Sequence, residues 1–219
     1  MTGRTIRVTG KGRISVSPNT IKLSIDAESA CKEYETTVKK SAEDFATLRE
    51  TIKKAGLDPR ELKTVRFGID ADYESYRDKD GNYKRKFNGY KYTHDTYIQF
   101  SNDNKVLGKV LRELANCPVK VEFRIRHTVK DVDAVKNDLL GKAVEDSKIK
   151  AEVLSKAAGV TLGEIKTIDY SWGELEIYSE PMYRDLKMPI AACDTDFDID
   201  IEADDIDVQD TVTVVWEIQ

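Results

Sequence analysis

Ala143 to Gly163 reads AVEDSKIKAEVLSKAAGVTLG. Ala143, Ser147 and Ala151 recur every fourth position, and residues four apart share one face of an α-helix. Side chains that small let a helix axis come close to whatever it covers. Leu154 and Ala158 continue the stripe, and Gly159 stands where a left-handed C-cap is expected. The stretch predicts the end of a long helix, from about Asp131 to Ala158, built for packing. It holds no nucleophile, no paired His and no phosphate-binding loop.

The sheet this helix should cover is legible on both sides of it. Ile6, Val8, Gly10, Gly12, Ile14 and Val16 alternate with Arg7, Thr9, Lys11, Arg13 and Ser15. Ile21, Leu23, Ile25, Ala27 and Cys31 alternate with Lys22, Ser24, Asp26 and Glu28. Ser17 to Thr20 supplies turn residues, so a hairpin is expected, with Val16 opposite Ile21 and Lys11 opposite Asp26. Gly10 and Gly12 face one side of their strand, where they permit a helix to approach or the strand to bulge.

A helix follows from about Tyr34 to Ala55, with Val38, Ala42, Phe45, Leu48 and Ile52 as its expected buried face. Gly56 and Pro59 end it. Strands are expected at Val65–Tyr73 and Tyr90–Phe100, joined through Asp80-Gly81 as a long polar hairpin that projects near 74–90. A short helix over Val106–Leu114, a strand over Val119–Ile125, a strand region from Ile165 to Trp172 and a last strand over Val212–Ile218 complete the pattern. The strands have one wet and one apolar face, unlike the continuous apolar runs of parallel sheets covered on both sides. The expectation is an α+β fold, mostly antiparallel sheet with helices packed on one face, in the order β-β-α-β-β-α-β-α-β-β. It is read as one domain, 1–219, with an acidic loop near 179–207.

Composition excludes more than it assigns. The 219 residues are ample for a sizeable core. A net charge of -5 disfavours nucleic acid, whose binders show a basic domain or stripe. Arg4, Arg7, Lys11, Arg13, Lys22, Lys120, Arg124 and Arg126 do lie on wet strand faces, but Asp26, Glu28, Asp70, Asp72 and Glu122 interleave them. No apolar run reaches the ~20 residues that span a bilayer. The opening segment alternates like a strand and lacks an apolar signal core, so a cytoplasmic location is expected, or a periplasmic one if a leader has been removed. Cys31, Cys117 and Cys193 are odd in number and not in C-x-x-C spacing, which predicts neither a disulfide framework nor a zinc site.

These features together resemble the SIMPL-domain family. Its opening motif, V-x-G-x-G running on to Pro-Asn, corresponds to Val8, Gly10, Gly12, Pro18 and Asn19. Its mid-chain Gly-Tyr corresponds to Gly89 and Tyr90. Its helix signature corresponds to Ala143, Val144, Asp146, Lys150, Ala151, Leu154, Gly159, Leu162 and Gly163. The resemblance implies a binding or assembly role, brings no catalytic residue and no cofactor, and covers almost the whole chain. Two features depart from the family pattern: a secretion signal is not seen, and an acidic run replaces the usual closing loop.

That acidic run, DTDFDIDIEADDIDVQD from Asp194, alternates carboxylates with apolar residues. Extended, it would set carboxylates ~7 Å apart along one edge. Asp194, Asp196, Asp198 and Asp200 are the residues a hard cation such as Ca²⁺ would take. An EF-hand loop needs Gly at its sixth position, and here that position is Ile199. The expected role is therefore a solvated charged edge, with a cation-binding or stress-response function as the alternative. His94 lies on an apolar strand face, where a hydrogen-bonded core histidine is expected, and His127 ends a strand. With no G-x-S-x-G, P-loop or dinucleotide fingerprint, no enzyme activity is expected. The expected function is protein binding, chiefly self-association, through the last strand near Trp216 and the hairpin around Gly81.

Overall fold

The computed structural model describes residues 3–77, 79–170, 175–179 and 202–219. The elements are β1 (Thr5–Val16), β2 (Thr20–Cys31), α1 (Tyr34–Lys54), a 3₁₀ turn (Pro59–Glu61), β3 (Lys63–Arg77), β4 (Tyr83–Ser101), α2 (Asn104–Ala115), β5 (Val121–Thr128), α3 (Val132–Ala157), β6 (Leu162–Asp169), β7 (Tyr178–Ser179) and β8 (Ile206–Ile218). The fold is α+β with antiparallel sheets, as its alternating strands require. The two-residue β7 and the 3₁₀ turn add to the expected order. Within the span read as one domain, the chain forms two compact units, each with its own sheet and apolar core.

The first unit, built from 3–19, 128–170, 175–179 and 203–219, holds the sheet β1-β8-β6 and helix α3. β1 and β8 pair without interruption from Thr5↔Glu217 to Val16↔Ile206. α3 starts where Asp131 accepts the Ala134 N–H at 2.9 Å and stops at Gly159, φ +67°, with the Val160 N–H returning to the Ser155 carbonyl at 3.0 Å. Its stripe does what its spacing predicts: Ala143, Ser147 and Ala151 are wholly buried. The strand glycines explain why. A Cβ on Gly10 would lie 1.9 Å from the Ala143 carbonyl oxygen, and one on Gly12 2.2 Å from that of Leu139. The stripe ends differently from expectation. Ser155 takes the next buried position, whereas Leu154 is 49% exposed and Ala158 also faces solvent. Four-residue spacing from Ala151 leads to Ser155, and the apolar character of Leu154 masked that phase.

The second unit, built from 20–77 and 79–127, sets its strands in the order β3-β4-β2-β5 and packs α1 against β2 and β4. Ile21, Leu23 and Ile25 are fully buried, with Leu48, Ile52, Leu107 and Val110 from the helices. The expected β1–β2 hairpin does not form. Val16 pairs with Ile206 and Ile21 with Phe100, so the two strands belong to different sheets. The intervening turn is held instead by Asn19, whose N–H donates to the Thr128 carbonyl at 3.1 Å and whose Oδ1 accepts from the Lys130 N–H at 2.8 Å. The buried face of α1 is also rotated from the expected one. Val38 and Ala42 are exposed, and Thr37, Ser41 and Asp44 face inward with Leu48, Thr51 and Ile52. Those polar groups are satisfied there: the Thr37 and Ser41 hydroxyls donate to backbone carbonyls at 2.9 and 2.7 Å. At the other end, Gly56 (φ +91°) and the Leu57 N–H to Ile52 carbonyl bond terminate the helix as expected.

Candidate interaction surfaces

Most of the buried polar side chains are paired as structural elements, although His127 Nε2 and Trp216 Nε1 find no partner among the described residues. Tyr92 is 1% exposed and donates its hydroxyl to Asp44 Oδ2 at 2.6 Å, while Lys40 holds Asp44 Oδ1 at 2.8 Å. Burial, reinforced by the bond to Asp44, pushes the Tyr92 phenol well above its ordinary range, so it stays protonated and cannot serve as a base. His94 is the core histidine its position predicts. Its Nε2 meets the Thr64 hydroxyl at 2.9 Å and its ring lies against Phe45 and Phe67. His127 is wholly buried with Nδ1 3.1 Å from Asn102 Oδ1. Burial lowers both imidazoles below the usual histidine value. Cys31, expected in the core, is only partly buried, as is Cys117.

The motif residues converge on packing. Gly10 and Gly12 meet Ala143 where α3 crosses β1, Ala151 is buried in the same core as Val8, and Pro18 lies in the turn held by Asn19. Gly89 adopts φ +137°, and a Cβ there would fall 2.2 Å from the Cys31 carbonyl oxygen. Gly163 lies against Glu217 of β8. Asp194, Asp196, Asp198 and Asp200, with Cys193, lie outside the described residues. Among the described residues no group of three or more His, Cys, Asp or Glu side chains is placed to hold a metal ion. A niche lined by Asp26, Glu28, Thr93, Lys120 and Glu122 offers about 50 Å³. That is far below the ~300 Å³ at which small-molecule sites begin. Asp26 lies opposite Asp95 in the β2–β4 register; its carboxyl is raised by burial first and by that like charge second.

The sheet borders carry the informative geometry. β8, expected as an exposed last strand, is central: β1 flanks one side and β6 the other. β1 is an edge, but α3 blocks it. Asp146 Oδ2 accepts the Lys11 N–H at 2.6 Å, and Lys150, paired to Asp146 at 2.7 Å, reaches the Thr9 carbonyl at 3.3 Å. These bonds hold the Asp146 carboxyl below its usual range, Lys150 first and Lys11 second. β6, the opposite edge, breaks register at Leu162/Ile165 and again at Ile165/Thr167. β3 differs. Among the described residues it is the outer strand next to β4, none of its residues is buried, and it runs in regular register from Arg66 to Asp72 between two irregularities.

Beyond Asp72 the β3–β4 ribbon separates its residues by face. Tyr73↔Phe87, Ser75↔Arg85 and Arg77↔Tyr83 share one side; Glu74↔Lys86 and Tyr76↔Lys84 share the other. On the first side Phe87 meets Tyr73 and Tyr90 edge-on at 5.6 and 5.4 Å, and Tyr90 meets Tyr34 at 5.4 Å. Arg85 lies over Tyr73 and Arg77 over Tyr83. That side carries rings and guanidiniums, with neither carboxylate nor lysine. Tyr73, Tyr83 and Phe87 are exposed.

A family model described as SIMPL, protein of unknown function (DUF541), matches residues 6–216. The chain belongs to the SIMPL family. Two SIMPL relatives are each named "26 kDa periplasmic immunogenic protein", one from Brucella melitensis biotype 1 and one from Brucella abortus. Each is 27% identical over 222 aligned positions, covering 98% of this chain and 84% of the relative. The names place those two SIMPL proteins in the periplasm, which lends no support to the cytoplasmic expectation. No helix among the described residues is long and apolar enough to cross a membrane. Sequence reading missed the blocked β1 edge and the open run of β3. Asp146 and Lys150 belong to the SIMPL helix signature, and their i, i+4 spacing is the signal for the pair.

Proposed function

We propose that this SIMPL-family chain is a non-enzymatic protein-interaction module that associates with itself. The observation that carries the reading is the ring-and-arginine side of the β3–β4 ribbon. Interface centres are enriched in Tyr, Phe and Arg and depleted in Lys, Glu and Asp. The ribbon sorts its residues in that way, with Lys84, Lys86 and Glu74 all on the opposite side. Binding of nucleic acid or an anionic surface would recruit lysines alongside the arginines. The expectation that the last strand mediates association is replaced, because β8 is central in its sheet.

Light scattering of the purified full chain across a concentration series tests the proposal. The expected result is a mass that rises to a multiple of 24.8 kDa, and a dissociation constant raised roughly tenfold or more by Tyr83→Ser with Phe87→Ser. A mass of 24.8 kDa at every concentration would end the self-association reading.

A further inference from the structure

Resting on the self-association reading, a more specific inference concerns which edge joins the copies. An edge strand is a template for another strand unless it is blocked, broken or charged against pairing. β1 is blocked by Asp146 and Lys150, and β6 is broken by two register shifts. Among the described residues the β3 run from Arg66 to Asp72 has neither device: it is regular and its residues are at least partly exposed.

The sequence of that run, RFGIDAD, is self-complementary when read antiparallel. Its midpoint is Ile69. Pairing two copies about that residue sets Arg66 against the partner's Asp72 twice, once on each side of the axis. Phe67, 51% exposed, falls against the partner's Ala71, and Gly68 falls against the partner's Asp70. No like charges meet. Opposite-charge and apolar cross-strand pairs of this kind stabilise an antiparallel ladder, and like charges directly opposite destabilise it. A two-fold interface is isologous, so one strand must complement itself, as this run does. In the isolated chain Arg66 contacts Asp95 at 2.8 Å while its side chain stays 70% exposed, which leaves it accessible to a second carboxylate.

We propose that two copies join through their β3 strands, antiparallel about Ile69, extending the sheet across the two-fold axis with Arg66 bound to the partner's Asp72. Charge exchange tests this on the full chain, with circular dichroism confirming that each variant is folded. Arg66→Glu alone places two acids opposite each other at both ends of the run. Asp72→Lys alone places two cations there. Each single variant is expected to raise the dissociation constant by roughly tenfold or more. An equimolar mixture of the two sets every introduced charge against its opposite, and should regain association close to that of the wild type. The double variant R66E/D72K should do the same alone. Wild-type association that persists unchanged in both single variants would overturn the β3 junction while leaving self-association standing. Single variants that dissociate without regaining association on mixing would overturn the Arg66–Asp72 pairing. A wild type that stays monomeric would overturn both readings.

Discussion

Among the described residues β1 and β3 are both sheet edges, and the chain treats them in opposite ways. Over β1, the small residues of α3 bring the helix down on Gly10 and Gly12, and Asp146 and Lys150 occupy the outward Lys11 N–H and Thr9 carbonyl. Over β3 no such cover exists among the described residues, and the strand exposes Val65 and Phe67. The two edges thus differ in whether their outward groups are already satisfied by another part of the chain among the described residues.

The sharpest way to break this contrast is at strand glycines. Gly10→Ala forces a methyl group into the Ala143 backbone and should destabilise by about 3 kcal/mol or more, read from the denaturation midpoint. Gly68→Ala in β3 meets nothing nearer than Asp70 Oδ2 at 3.8 Å, so its effect should stay within about 1 kcal/mol and can be stabilising. Equal effects would mean that β1 is no more tightly covered than β3. On the helix itself, Ala151→Leu should overpack and cost roughly 1–3 kcal/mol, whereas Leu154→Ala, three residues on but exposed, should change the midpoint little. An Ala151→Leu protein with wild-type midpoint and slope would place that face in solvent.

Removing the β1 cover without touching the core is a smaller perturbation. Asp146→Ala deprives the Lys11 N–H of its acceptor and should cost about 1 kcal/mol. It should also make the β1 edge exchange faster and raise the tendency to associate. An unchanged exchange rate at Lys11 would show that the helix itself, and not this carboxylate, protects the strand.

Acid should separate the two units. His94 and His127 belong to the unit that contains β3, and both are held below the ordinary 6.5 by burial. The unfolded chain therefore takes up their protons first. The stability linked to them is full above about pH 6.5 and is lost as pH falls through the depressed folded values. Asp146, in the other unit, is held below 3.8. Its contribution is present above that value and is lost only as pH falls through its lowered folded value. Melting followed from pH 7.5 to 5 should thus show the β3-containing unit weakening first, by a modest amount. A transition that strengthens on acidification over that range would contradict the burial of both imidazoles.

Much of this architecture is written locally, and the residues show where local reading stops. The α3 stripe, its Asp131 and Gly159 caps and the alternating strands of both sheets follow from periodicity and turn chemistry. Strand partners do not. Val16 and Ile21 flank a turn sequence suited to a hairpin, yet their partners lie at Ile206 and Phe100, set by which apolar faces share a core. The polar inner half of α1 was illegible for a related reason: Thr37, Ser41 and Asp44 become good core residues only beside the carbonyls, Lys40 and Tyr92 that satisfy them. The open edge of β3 was hidden too, because its apolar alternation reads like that of a covered strand. Only the order of strands in the sheet reveals that, among the described residues, one side of its ladder is unoccupied.

Amide hydrogen exchange measured against protein concentration tests the contrast between the two edges most directly. The Lys11 amide, bonded to Asp146 within the chain, should exchange slowly and at one rate across the series. The amides between Arg66 and Asp72 that point away from β4 should exchange rapidly in dilute protein and slow progressively as concentration rises. Outward β3 amides that exchange at one rate throughout, or a Lys11 amide as labile as they are, would contradict the account.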